Sequence, residues 1–199
     1  MPPFARRLGA LTSLGERFGK ARMHEVPYTV VLGTAQDGGI PHAGCQERCC
    51  VEARANPARR RLPACMGLVD PSTQQRWMLD CTPAFPEQLE VLNGASPATW
   101  GLAGLLLTHA HIGHYTGLVH VGREVMGAHQ LPVYVMPKMA AFLRANSPWK
   151  ELVSWGHVEL RVLASDQAVT LAPGLTVIPR EVPHRGELSE TVAFEVHGP

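Results

Sequence analysis

The sequence holds no apolar run near the roughly 18–20 residues that a bilayer-crossing helix needs, which argues against a membrane span. It also lacks an excess of either charge. Against 17 Asp and Glu stand 18 Lys and Arg, so the net charge is +1 and the clustered basic surface used to hold nucleic acid is missing. Cysteine is scarce and odd in number at five, which excludes a full disulfide framework and suits a reducing compartment, the cytoplasm being expected. The basic residues Arg6, Arg7, Arg17, Lys20 and Arg22 are not followed by the apolar core and small-residue cleavage site of a secretory signal. Residues 1–26 are therefore expected to be a leader or a short surface helix. Repeats, low-complexity tracts and linkers are missing too, so one domain over residues 27–199 is expected, with a hydrophobic fraction of 45% to fill its core.

What the chain does have is a concentration of imidazole. Leu105, Leu106 and Leu107 form a short apolar run of the kind found in a strand buried on both faces. Directly behind it stand His109, His111 and His114, at i, i+2 and i+5. On a tight loop at a strand end, that spacing points two rings into one small volume and leaves the third nearby. Neutral imidazole is the commonest protein ligand for a borderline divalent metal. A surface loop without a ligand is the alternative for any single histidine; three in six residues behind a buried strand point to a metal.

Two further groups carry possible chemistry. Asp80 closes a β-like segment and could be a ligand, could fix an imidazole tautomer, or could cap a turn. Cys45, Cys49 and Cys50, with His42 just upstream, could clamp a structural zinc or could be ordinary buried and free thiols. The adjacency of Cys49 and Cys50 makes it hard for both to face one ion.

Read in order, the chain opens with a strand over residues 28–33 and a glycine-rich loop over 34–39, which could bring backbone N–H groups to an anion. Residues 52–61 suit a surface helix or a mobile loop. A hairpin follows, with strands at 64–70 and 75–80 around Pro71-Ser72-Thr73. Phe85, Leu89 and Leu92 mark a helix, and a second is expected over 115–126, directly behind the histidines. A strand at 131–136, a helix at 138–145 and a shorter one reaching Trp155 come next. Strands are then expected at 158–163, 168–171, 175–178 and 191–196. Strands, then alternating strands and helices, then strands again imply a sandwich of sheets with helices on the outer faces.

Residues Thr108 to His114 resemble the H-x-H-x-D-H motif of the metallo-β-lactamase fold superfamily. The apolar strand ending in Asp80, the helix and strand after His114, and Val182-Pro183-His184 about 70 residues on fall in that superfamily's order. Several stretches are similar to the branch around coenzyme PQQ synthesis protein B: Val31 to Ala35, the glycine loop with its cysteines, Leu131 to Tyr134, and Val182 to Thr191. The resemblance implies an α/β (α+β) αββα sandwich. It implies that His109, His111 and His184 hold one metal, that His114 faces a second position, and that Asp80 steadies the loop, with Asp80 and His114 as candidate catalytic residues. Zinc is the implied metal, iron the alternative.

Two departures bear on the chemistry. Gly113 stands where the superfamily has an aspartate, and no later Asp and His complete a dinuclear centre, since His197 follows His184 too soon. One metal is therefore expected rather than two, and the chain is expected to be a fragment lacking the last strands of the sandwich. The implied activity is that of a metal-dependent hydrolase acting on a small molecule through a metal-bound water. Iron-dependent oxidation in quinone cofactor biosynthesis is a second expectation, and a non-catalytic carrier of a small anionic cofactor a third.

Overall fold

The structure, a computed structural model, describes residues 25–199. The leader or surface helix expected at the N-terminus lies outside the described residues, except for its last two positions. Among the described residues no helix is long and apolar enough to cross a membrane.

Six strands form one sheet in sequential order: β1 (Tyr28–Gly33), β2 (Cys65–Asp70), β3 (Gln75–Leu79), β4 (Gly101–Leu106), β5 (Leu131–Val135) and β6 (Val158–Val162). The first three pair antiparallel, with β2 and β3 as the expected hairpin, and β3 to β6 run parallel. A second, antiparallel sheet holds β7 (Val169–Ala172), β8 (Leu175–Glu181) and β9 (Val192–His197). The helices are α1 (Arg48–Ala55), α2 (Phe85–Ala95), α3 (Ile112–Tyr115), α4 (Pro137–Ala145) and α5 (Trp149–Ser154).

Alternation along the strands divides the apolar side chains between two cores. Val69, Met78 and Leu105 face the helices, where they meet Phe85 and Leu92 of α2, Met139 and Leu143 of α4, and Leu152 of α5. Their neighbours Leu68, Trp77 and Leu106 face the small sheet and meet Ala172, Leu175 and Val177. Helices, large sheet and small sheet thus stack as layers of the expected sandwich. The arrangement explains the unbroken apolar text at residues 105–107, because the central strands have no solvent face.

Besides α1, which spans Arg48–Ala55 where a surface helix or loop is expected at 52–61, the structure departs from the sequence pattern at three elements. β4 begins at Gly101, earlier than the apolar run suggests, and extends the parallel ladder with β3 from Gln75 onward. The helix expected over 115–126 is instead one turn of α3 followed by a 3₁₀ helix, Thr116–Val121. Tertiary backbone bonds override helical periodicity here: Cys81 N–H donates to the His114 carbonyl at 2.8 Å and Gly117 N–H to the Cys81 carbonyl at 2.9 Å. A side chain at 117 would collide with the Thr82 carbonyl, so the close approach needs glycine. Finally, β8 runs through Pro179 to Glu181, past the stop expected at Ile178. The last pair with β7 is Val169 with Val177, so the missing N–H of Pro179 costs that ladder nothing.

Candidate metal centre

The site lies at the C-terminal end of β4, where the chain leaves the sheet as Thr108-His109-Ala110-His111. The loop joining β8 to β9 brings His184 to the same place. Two backbone N–H contacts hold the two loops together. Val192 N–H, at the start of β9, donates to the Thr108 carbonyl at 3.1 Å. Ala110 N–H donates to Oγ of the buried Ser189 at 2.9 Å, and that hydroxyl donates in turn to the Glu190 carbonyl at 2.8 Å. The Glu190 carboxylate accepts from Lys138 N–H at the start of α4, at 3.0 and 3.1 Å. An anion at a helix N-terminus meets free N–H groups and the positive end of the dipole, so the His184 loop is tied to α4 as well.

His109, His111 and His184 each place one ring nitrogen within 4.8 Å of the other two. His109 Nε2 lies 2.9 Å from His111 Nδ1, and His184 Nε2 lies 3.3 Å from the same atom. Two imidazole nitrogens held at about 2.0–2.1 Å from a tetrahedral metal stand about 3.3 Å apart, so the spacing suits a common ion. His109 is buried, His111 partly so, and His184 exposed, which leaves one side of the cluster open.

The hydrogen-bond network assigns the tautomers that such an ion needs. His109 Nδ1–H donates to Thr108 Oγ1 at 2.9 Å, and that hydroxyl donates to Asp80 Oδ1, also at 2.9 Å. His114 Nδ1–H donates to Asp80 Oδ2 at 2.7 Å. His111 Nε2–H donates to Glu187 Oε2 at 3.2 Å. Each bond occupies the nitrogen that faces away from the cluster. His109 Nε2 and His111 Nδ1 are thereby left as lone pairs inside it.

Asp80 is the hub of this network. It is buried and has the left-handed backbone angle φ 68°, where a non-glycine residue is uncommon. From there its Oδ1 also accepts Thr108 N–H at 2.8 Å, while its own N–H donates to the Leu106 carbonyl. Its carboxylate meets His114 directly and reaches His109 through Thr108, and it lies outside the converging triad; it positions those two rings.

Electrostatics separate His109 from His114. Burial, assisted by the neighbouring His114, His111 and His184, lowers the pKa of His109 to about 4, so its ring is neutral at pH 7. Burial also pushes His114 down, but the hydrogen bond and charge of Asp80, helped by Asp37, outweigh it and leave that pKa above its ordinary value.

The cysteines do not assemble. Among the described residues the one set of three such donors gathered within ligating distance is the histidine triad. Cys45 Sγ accepts Glu47 N–H, Cys50 Sγ is buried and accepts His42 N–H, and the exposed Cys49 on α1 places its Sγ 4.0 Å from that of Cys50. The structure does not bring Cys45, Cys49 and Cys50, the cysteines expected to hold a structural zinc, into one set of three converging donors.

Three residues that spacing did not single out matter at this site. Thr108 carries the link from Asp80 to His109, Glu187 orients His111, and Asp37 from the loop after β1 places Oδ1 3.4 Å from His114 Nε2. Thr108 and Glu187 sit beside the histidines in sequence, which was the available signal. Asp37 is 77 positions from His114, and nothing local to either pairs them.

This fold and this cluster define a class. The chain belongs to the beta-lactamase superfamily: the family model described as "Beta-lactamase superfamily domain" matches residues 68–198. Within it the chain is similar to coenzyme PQQ synthesis protein B of Methylobacterium sp. (strain 4-46), 26% identical over 163 residues, covering 77% of this chain and 53% of that protein. The chain spans about half the length of the curated relatives it matches. Zn(2+)-bound PqqB from Methylobacterium extorquens shares the fold, with a TM-score of 0.69 at 23% identity over 85% of this chain and 58% of that one. A diphosphatase from the PhnP family superposes with a TM-score of 0.64 at 26% identity, over 86% of this chain and 62% of that one.

Proposed function

We propose that this chain is the metal-binding part of a metal-dependent hydrolase acting on a small molecule, with one zinc ion held by His109, His111 and His184. The observation that carries the reading is the convergence of three ring nitrogens from segments more than 70 positions apart, with the tautomers of His109 and His111 assigned from outside. Three imidazoles with one open side make a donor set suited to catalytic zinc, whereas the common non-haem iron set has a carboxylate in place of the third imidazole. In this cluster Glu187 meets the outer nitrogen of His111 and contributes no ligand.

A metal in this position supplies Lewis acidity toward a carbonyl or phosphoryl oxygen and lowers the pKa of a coordinated water. The protein's own part is to present neutral ligands and keep them still. His109 stays unprotonated well below neutral pH because it is buried. Asp80 holds His109 through Thr108 and holds His114 directly, so one carboxylate fixes two rings. His184, exposed at the rim, leaves room for a substrate to approach. The diphosphatase likeness favours a diphosphate among small-molecule substrates.

A second reading is a step in quinone cofactor biosynthesis, favoured by the similarity to coenzyme PQQ synthesis protein B. Elemental analysis of the purified protein, with diphosphate-hydrolysis assays and dioxygen-consumption measurements, tests both. Zinc, hydrolysis without dioxygen uptake, and loss of both metal and activity in His109→Ala are the expected results. Iron with dioxygen uptake would favour oxidation, and full metal content in His109→Ala would remove the basis of both readings.

A further inference from the structure

Charge is balanced over the whole chain but not over residues 48–61, where five arginines stand against one glutamate. Three of the five are engaged. Arg48 and Arg59 share the Glu52 carboxylate, and Arg54 donates to the His42 carbonyl at 3.1 Å. Arg60 and Arg61 are exposed and have no ion-pair partner among the described residues. Arg61 Nη1 donates to the Ala58 and Arg60 carbonyls at 3.2 and 2.8 Å, bonds that leave its charge uncompensated.

The backbone that carries this pair is held in place. Arg61 exchanges both N–H···O bonds with Ile40, at 2.7 and 2.8 Å, and Arg60 N–H donates to the Pro57 carbonyl at 3.1 Å. Two positions on, the Pro63 carbonyl accepts from Nε2 of the buried Gln88 in α2 at 2.8 Å. Arg60, Arg61 and Glu87 line a cleft of about 240 Å³ whose apolar walls include Ile40, Leu62 and Pro83. Pro63 also borders a second cleft, of about 320 Å³, which reaches Gly113 and His114 of the histidine loop. The loop after β1 lines both, through Gln36 and Asp37 on the histidine side and Gly38 and Gly39 on the arginine side. It is packed hard on the histidine loop: a Cβ built on Gly113 would stand 2.6 Å from both Cα and Cγ of Asp37, nearer than such atoms can approach. The two adjoining clefts therefore lead from the histidine centre to two unpaired guanidiniums.

We propose that Arg60 and Arg61 form a subsite for a phosphate group of the substrate, remote from the bond that reacts at the histidine centre. Which bond reacts rests on the hydrolase reading; the anion site does not. A guanidinium presents paired N–H donors that match phosphate oxygens, and two of them on one cleft balance the charge of a phosphate dianion. Two free cations suit a single phosphate group, not the repeating backbone of a nucleic acid. Glu87 is the one carboxylate lining this cleft, and it opposes the anion.

Calorimetric titration with inorganic phosphate, in the purified protein and in His184→Ala, tests the subsite without reference to turnover. Saturable binding is expected in both. Combining Arg60→Ala with Arg61→Ala should weaken it by about tenfold or more, the cost of a lost charged hydrogen bond, with bound metal and circular dichroism unchanged. Glu87→Gln should tighten it. Binding unchanged in the double arginine variant, or absent from a folded His184→Ala, would overturn the arginine subsite. Hydrolysis of ADP and of its 3′-phosphate derivative, which differ by one remote phosphate, reads the link to the reaction. The phosphorylated compound should have the higher kcat/KM, and the ratio should fall toward one in the double arginine variant. Equal values in the unaltered protein would overturn the substrate assignment and leave the hydrolase reading standing. Phosphate held at the arginines with neither compound hydrolysed would overturn the hydrolase reading and leave the anion site.

Discussion

Two stretches of this chain concentrate donor atoms in sequence, residues 42–50 and residues 109–114, and only the second becomes part of a cluster. In the first, His42 and three cysteines lie in a loop and the start of α1, and their contacts are local: Cys50 with His42 N–H, Cys45 with Glu47 N–H. In the second, the loop at the end of β4 is held from outside by Asp80 after β3 and by Ser189 in the loop before β9. Density of ligands along a chain matters less than whether separate elements meet with their outer nitrogens anchored. Anchoring restricts both ring orientation and tautomer, which a metal requires before it binds.

The largest effect separating the two regions is expected at the anchor. Asp80→Ala removes the acceptor for Thr108 N–H, Thr108 Oγ1 and His114 Nδ1 together. Metal affinity should fall roughly 10–100-fold, the usual cost of losing a group that orients a ligand. Leaving those buried donors unpaired should lower the stability of the metal-free protein by about 1–3 kcal/mol. Chelator competition and urea unfolding measure the two; an affinity unchanged from the unaltered protein would mean that the rings hold themselves in place.

Next comes the pH response of the metal-free protein. His109 has a folded-state pKa of about 4, below its ordinary 6.5, so the unfolded chain takes up a proton first and stability falls as pH drops from 6.5 toward 4. His114 has the opposite sign: its pKa is raised, so its contribution is complete below 6.5 and is lost as pH rises through the folded-state value. Histidine-resolved NMR titration should find the two groups on opposite sides of 6.5. Asp80→Asn should bring His114 down while leaving His109 low; coincident titration of the two would sink the distinction.

The smallest effect belongs to the cysteine segment. Cys45→Ser and Cys49→Ser should change stability by no more than about 0.5 kcal/mol and leave bound metal unaltered. In native protein a maleimide should label the exposed Cys49 first. Cys65 and Cys81 should react only on unfolding, because burial raises both thiols well above their ordinary value. Loss of metal in those serine variants would reverse the ranking of the two regions.

Much of this was legible in the residues, for physical reasons that differ by element. β2, β3 and β5 could be placed because apolar and β-branched runs between turn residues have few other uses. His109 and His111 could be assigned to one site because i, i+2 spacing at a strand end is a local property. His184 was reachable through resemblance to a family, since nothing in its own neighbourhood identifies it. The 3₁₀ helix after α3 was not legible: residues 115–126 carry helical spacing, and bonds to Cys81, from a different strand end, override it. Asp37 was hidden for the same reason, being a carboxylate in a glycine loop whose partner lies on another crossover.

By itself the sequence determined the buried strands, the two-sided apolar pattern of β4 and the presence of an imidazole cluster, because these depend on spacing within a few residues. Only the tertiary structure decided which ring nitrogens face inward, that Asp80 commands two histidines at once, and that Asp37 fills the space beside Gly113. Those outcomes depend on sheet stacking and loop packing between residues dozens of positions apart, and such distances are fixed when the layers close, not when the strands form.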